Sequence, residues 1–303
     1  MGTYEEMREF FGELRSLFAL DPASAGWGEQ LLELSELAYW LDKDIWEAQW
    51  SSYIADEAHR FPSPLLTLTK LELLGPTAQY LPGATFALEQ DVRCGADGAN
   101  ALASSPGASS LVSLDLAYSY IMDDGVTALA TNQKFSSLVS LNLESNRIGA
   151  HGLQALAASD NFPKLVSLNL EDNDASREGA EALASTTWLL TSRSLNIGYN
   201  YIEGAGVEAL VATPNISGLE ELNARFNDLR DRGAVAIAMS PYVSSLRALN
   251  LAGNLISDTG AVALATSAHL RALETLDLED NPIGEEGLEA LRAAPFDVKL
   301  TPR

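Results

Sequence analysis

The sequence predicts an α/β solenoid, a curved horseshoe with short parallel strands on its concave face and helices on its convex face, behind an N-terminal helical cap. Three observations carry that expectation. The pattern LxxLxL returns every 27 residues. An asparagine follows it at a fixed offset. A glycine and then an alanine–aliphatic pair come later in the same unit.

The middle leucine of the pattern falls at Leu114, Leu141, Leu168, Leu195, Leu222, Leu249 and Leu276. Five positions on stand Ser119, Asn146, Asn173, Asn200, Asn227, Asn254 and Asn281. Eleven positions past the leucine comes Gly125, Gly152, Gly179, Gly206, Gly233, Gly260 or Gly287, and three beyond that an alanine, Ala128 to Ala290, with an aliphatic residue beside it. Seven units stand in register without one insertion.

Each fixed position has a physical reason. Leucines two apart, such as Leu141 and Leu143, point to one side of a short strand and are buried together. The asparagine carries both donors and an acceptor, which suits a buried turn whose backbone groups need partners. Glycine lets the helix start tightly, and Leu153 with Leu156 marks its inner face. The small alanine permits neighbouring helices to approach, and Phe135, Phe162, Leu189, Ile216, Val243 and Leu270 occupy the return segment. A unit of strand, turn, helix and return cannot bury its core alone, so the units stack.

This pattern resembles the leucine-rich repeat family. "LVSLNLESNRIGAHGLQALAAS" at residues 138–159 looks like its ribonuclease-inhibitor type, and "GAEALAS" and "GAVALATS" are similar to the bacterial GALA variant. The resemblance covers residues 111–303 and implies the horseshoe, a protein-binding role, and a minority precedent for activating small GTPases. Ser119 stands for asparagine, Ser192 for a strand leucine and Ala175 for an isoleucine, each predicting a local weakness.

Residues 1–62 read as helices that cap the stack. Their stripes are Phe10, Phe11, Leu14, Leu17, Phe18; Leu31, Leu34, Leu37, Ala38, Leu41; and Trp46, Trp50, Tyr53, Ile54. Residues 63–303 read as the solenoid: an irregular first repeat over 63–110, seven regular repeats over 111–299, and a short terminal strand beginning at Leu300. The first strand is expected at Leu68, Leu71 and Leu73, and residues 74–94, with Pro76 and Pro82, as a protruding loop.

The net charge of -23 disfavours nucleic acid and anionic membranes and favours a basic partner. Cys94 is the only cysteine, which leaves no disulfide framework and fits a reducing compartment. The acidic N-terminus, with Glu5, Glu6 and Glu9, is unlike a secretory signal, so a cytoplasmic location is expected. Fourteen arginines against five lysines, with abundant alanine, fit a bacterial origin. His59, His151 and His269 are scattered, no phosphate loop, zinc spacing or GxSxG elbow occurs, and the acidic turns lack the ligand order of an EF-hand. The expectation is a non-enzyme with no cofactor and no metal.

Positions where the repeats disagree are those the scaffold leaves free. Three and four residues past the anchor stand Ala117–Tyr118, Glu144–Ser145, Glu171–Asp172, Gly198–Tyr199, Arg225–Phe226, Ala252–Gly253 and Glu279–Asp280. Tyr199, Tyr201, Arg225 and Phe226 are expected to cluster mid-arc, beside the acidic strip Glu144, Glu171, Asp172, with Tyr118 and Tyr120 on the strip's far side. Tyrosine and arginine at the centre of a concave surface are favoured interface anchors. The strand ladder Asn142, Asn169, Asn196, Asn223 and Asn250 reads as structural, its amides satisfying one another. The expected function is binding of a basic protein or peptide on the concave face by a monomer. The alternatives are GTPase activation and an adaptor recruiting a second protein through the helical cap.

Overall fold

The computed structural model describes residues 84–87, 95–104, 108, 111–131 and 135–301. The expected cap over 1–62 and the expected strand at Leu68–Leu73 lie outside the described residues. Among the described residues, nine strands run in chain order in one parallel sheet. They are β1 (Ala84–Ala87), β2 (Leu111–Asp115), β3 (Ser140–Asn142), β4 (Ser167–Asn169), β5 (Ser194–Asn196), β6 (Glu221–Asn223), β7 (Ala248–Asn250), β8 (Thr275–Asp277) and β9 (Asp297–Lys299). Eight helices alternate with them: α1 (Gly95–Ser104), α2 (Met122–Thr131), α3 (Ala150–Ala157), α4 (Ser176–Ala184), α5 (Glu203–Val211), α6 (Arg230–Met239), α7 (Asp258–Ala265) and α8 (Glu285–Arg292). Strands sit about 4.8 Å apart and packed helices about 8–10 Å apart, so the stack bends with its strands inside.

The anchor leucines align across the sheet, Leu114 with Leu141, Leu141 with Leu168, and so on to Leu249 with Leu276. With Leu116, Leu143 and their equivalents they are buried against the inner faces of the helices, where Leu153, Leu156, Leu183 and Leu210 are also buried. Phe135 and Phe162 stack at 6.0 Å between return segments. One continuous core therefore runs the length of the array.

Both ends differ from expectation. The strand beside β2 is β1, which lies within the segment read as a protruding loop. Phe86 pairs with Leu114, and a register shift between Ala84 and Thr85 makes this separation one residue longer than the regular period. At the other end Val298 pairs with Leu276, so the terminal strand precedes Leu300. Phe296, Val298 and Leu300 pack on the core from there.

The asparagines tie each unit to the one before. Asn146 Nδ2 donates to Leu116 O at 2.7 Å, while its Oδ1 accepts from the backbone N–H of Ser119 and Ile121. Asn227 repeats this with Ile197 O, Asn200 N–H and Ile202 N–H. Of the predicted weak points, Ser192 is buried, its hydroxyl donating to Leu165 O and Trp188 O, and the hydroxyl of buried Ser119 donates to Ala117 O. Beside Ala175, Leu153 Cδ1 closes on Gly179 as an isoleucine methyl does in other repeats.

A second link joins successive helices. Asp231 in α6 accepts from the N–H of Ser257 (2.8 Å) and of Gly260 (3.0 Å) at the start of α7. Asp258 in α7 does the same for Gly284 and Gly287 at α8, and Asp123 in α2 for Gly149 before α3. Carboxylates there satisfy orphan amide groups and the positive end of the helix dipole.

Candidate protein-interaction surface

The strands end one residue past the anchor, so every expected site residue stands in the turn that follows, on the edge bordering the concave face. The floor of that face is Ser140, Asn142 and their equivalents. The ladder asparagines do not satisfy one another as expected. Asn142, Asn169, Asn196, Asn223 and Asn250 each accept with Oδ1 from the backbone N–H two residues on. Asn169 and Asn196 also donate to Glu144 Oε2 (3.1 Å) and Glu171 Oε2 (2.6 Å), which fixes both carboxylates.

The turn positions have left-handed backbones. The φ angles are 59° at Tyr118, 55° at Asp172, 53° at Tyr199, 56° at Tyr201 and 52° at Phe226. That geometry aims the side chains outward. Among the described residues, six of the eight exposed large apolar residues, Tyr118, Met122, Tyr199, Tyr201, Phe226 and Leu255, stand on such backbones in these turns or, for Met122, at the helix start that follows.

Within the expected cluster, the rings of Tyr199 and Phe226 stack at 4.5 Å with an 11° interplanar angle. Phe226 leans over Gly253, where an added Cβ would lie 2.4 Å from its ring. The Arg225 guanidinium sits 5.1 Å from the Tyr199 ring centroid, and its Nε donates to Glu171 Oε1 at 2.9 Å. Its Nη2 contacts the same oxygen. This ion pair bridges 54 residues, passing over the repeat between, and Gly198 makes room: a Cβ there would be 3.0 Å from Arg225 Cγ. The hydrogen bond to Glu171 raises the Arg225 pKa above its usual value.

Tyr118 joins the strip by donating its hydroxyl to Glu144 Oε1 at 2.7 Å, and that bond with the carboxylate's charge raises its phenol pKa. Asp172 accepts from the Ser145 hydroxyl at 2.5 Å. Tyr120 packs elsewhere, under the guanidinium of Arg147, which lies 4.6 Å from its ring and donates to its hydroxyl. Tyr201 is 72% exposed and joins no ring contact among the described residues. The structure thus brings together Glu171, Tyr199, Arg225 and Phe226, and separately Tyr118 with Glu144. Sequence reading missed Gly198 and Gly253; their signal was a missing side chain within the variable series.

On the convex side an open groove of ≈ 570 Å³ lies between α5 and α6, lined by Val211, Val235, Met239 and Tyr242 among others. Its charged residues are engaged: Arg232 pairs with Glu208 at 2.7 Å, and Asp231 holds the start of α7. Among the described residues no His, Cys, Asp and Glu side chains converge to hold a metal ion, and no helix is long and apolar enough to cross a membrane. His151 is exposed on α3, His269 is half-buried in a return segment, and His59 lies outside the described residues.

With this geometry, the match of the leucine-rich repeat family to residues 136–157, 163–184, 193–211, 219–238, 244–265 and 269–291 decides what the units are. They are leucine-rich repeats. No curated protein matches the chain. Among solved structures, internalin C2 from Listeria monocytogenes str. 4b F2365 is 21% identical, with 77% of this chain and 83% of that one covered and a TM-score of 0.43. Internalin InlF of the same strain is 16% identical, covering 73% and 83%, with a TM-score of 0.37. A TLR13–ssRNA13 complex is 20% identical, covering 66% of this chain and 30% of that one, with a TM-score of 0.40. Leucine-rich repeats typically serve as protein-interaction modules.

Proposed function

We propose that this leucine-rich-repeat chain binds a protein or peptide of basic character along the turn edge of its concave face, without catalysis. One observation carries the reading: exposed aromatic and aliphatic side chains are concentrated at left-handed turn positions of that edge. A bulky residue there is strained by about 1–2 kcal/mol relative to glycine. Tyrosine and phenylalanine at exposed, strained positions are accounted for by contact with a partner. Glu144, Glu171 and Asp172 set the sign of that partner's charge.

The test is affinity capture from native lysate with the wild type and a Tyr199→Ala/Phe226→Ala double variant of matched circular dichroism and melting temperature. A partner retained by the wild type and lost by the variant is expected. A partner held equally by both moves the binding site off this edge and sinks the proposal.

A further inference from the structure

We infer that Arg225 occupies, within its own chain, a guanidinium-binding cradle that an arginine side chain of the partner takes over on binding. The inference rests on the proposed interaction edge and names the group recognised there.

The cradle has three parts. Glu171, with a side chain only 12% exposed, provides the carboxylate. Asn196 holds Oε2 of that carboxylate at 2.6 Å and so fixes its plane. Tyr199, braced by its stack on Phe226, provides an aromatic face beside the charge. A planar cation that donates several hydrogen bonds while lying near a ring is what such a site selects, and guanidinium fits it better than ammonium.

The present occupant is held loosely. Arg225 comes from two repeats beyond Glu171, and its side chain is 39% exposed. Both of its hydrogen bonds converge on Oε1, because Asn196 already engages the other oxygen. An ion pair whose arginine is this open to solvent is favoured by a factor of about five at most. Gly198 leaves the path above the intervening repeat clear, so Arg225 can swing out without the backbone moving. Once displaced, it is free to pair with an acidic group on the partner. Arg225 is thus the latch that sets specificity at this edge.

The experiment follows the Tyr199 and Phe226 ring resonances by NMR during titration with acetyl-Gly-Arg-Gly-amide and with its lysine counterpart. The full-length wild type and Arg225→Ala are compared, with Gly198→Ala as a second variant that crowds the Arg225 stem and leaves Glu171 and Tyr199 intact. In Arg225→Ala the arginine peptide is expected to cause saturable shifts, tighter than in the wild type by up to about sixfold and tighter than the lysine peptide. Glu171→Gln added to Arg225→Ala should abolish them. Folded variants that show no saturable shift, or that respond equally to lysine, overturn the cradle. Loss of partner capture on Tyr199→Ala/Phe226→Ala together with no peptide response would retain the edge and reject the cradle. A peptide response with capture unaffected would retain the cradle and reject the edge as the partner's site.

Discussion

At Tyr201 the conflict between folding and exposure is sharpest: φ is 56° and the side chain is 72% exposed. Asparagine tolerates that backbone with little strain. Tyr201→Asn is therefore expected to raise unfolding stability by about 0.5–1 kcal/mol, seen as a higher urea midpoint at unchanged slope. The same substitution should weaken partner capture. If stability falls instead, the ring has a structural role that its exposure does not show. Tyr118 gives a second residue-level expectation, because Glu144 holds its phenol pKa above the ordinary value near ~10. A raised pKa means that the neutral phenol is favoured by folding. The stabilisation is complete below the ordinary value and is lost as pH rises through the folded one. The phenolate absorbance lost in Tyr118→Phe relative to the wild type should appear above the ordinary tyrosine range. Glu144→Gln should bring its titration back toward the ordinary range. A titration indistinguishable from that of free tyrosine would contradict the Tyr118–Glu144 contact. The variable residues of this edge were readable as variable from the sequence. The pairing of Arg225 with Glu171 was not, since it skips a repeat and depends on Gly198 having no side chain.

Within the helices, the repeated glycine has a reason more specific than an easy start. A Cβ on Gly260 would lie 2.7 Å from Ile256 Cγ2, 2.7 Å from Asp231 Oδ1 and 2.9 Å from Ala234 Cβ. The glycine therefore lets α6 approach α7 closely enough for Asp231 to reach the amide groups at its start. Alanine is the better helix former by about 1 kcal/mol, yet overpacking of this kind costs about 1–3 kcal/mol and also displaces the capping carboxylate. Gly260→Ala should consequently lower the melting temperature, and Asp231→Ala, which removes only the cap, should lower it less. A Gly260→Ala protein as stable as the wild type would show that the helices can move apart freely. The strands, turns and helices of the regular units were legible because the same contact is made at the same offset each time. The strand that pairs with β2 was not, for Phe86 stands opposite Leu114 and one extra residue shifts the frame. The leucines at 68, 71 and 73 fitted the pattern better than the residues that pair with β2.

Across the whole molecule, charge and architecture lead to one kinetic expectation. The chain carries a net -23. Among the described residues, many of its few cations are already matched with its own acids: Arg177 with Glu181, Arg193 with Glu220, Arg230 with Asp228, Arg232 with Glu208, Arg247 with Glu274 and Arg292 with Glu285. The surplus that faces solvent is thus negative, and a basic partner is drawn toward it over a distance comparable to the Debye length. That length shrinks from about 10 Å at 0.1 M salt to about 3 Å at 1 M. Long-range attraction acts on encounter, and contacts such as the Tyr199–Phe226 stack act on dissociation. With the captured partner purified, the association rate should fall by about tenfold or more over this salt range while the dissociation rate changes little. Tyr199→Ala/Phe226→Ala should do the reverse, speeding dissociation and leaving the salt slope of association intact. If salt acts mainly on dissociation, the negative surplus works through direct ion pairs inside the interface, and the aromatic edge is not what holds the complex together.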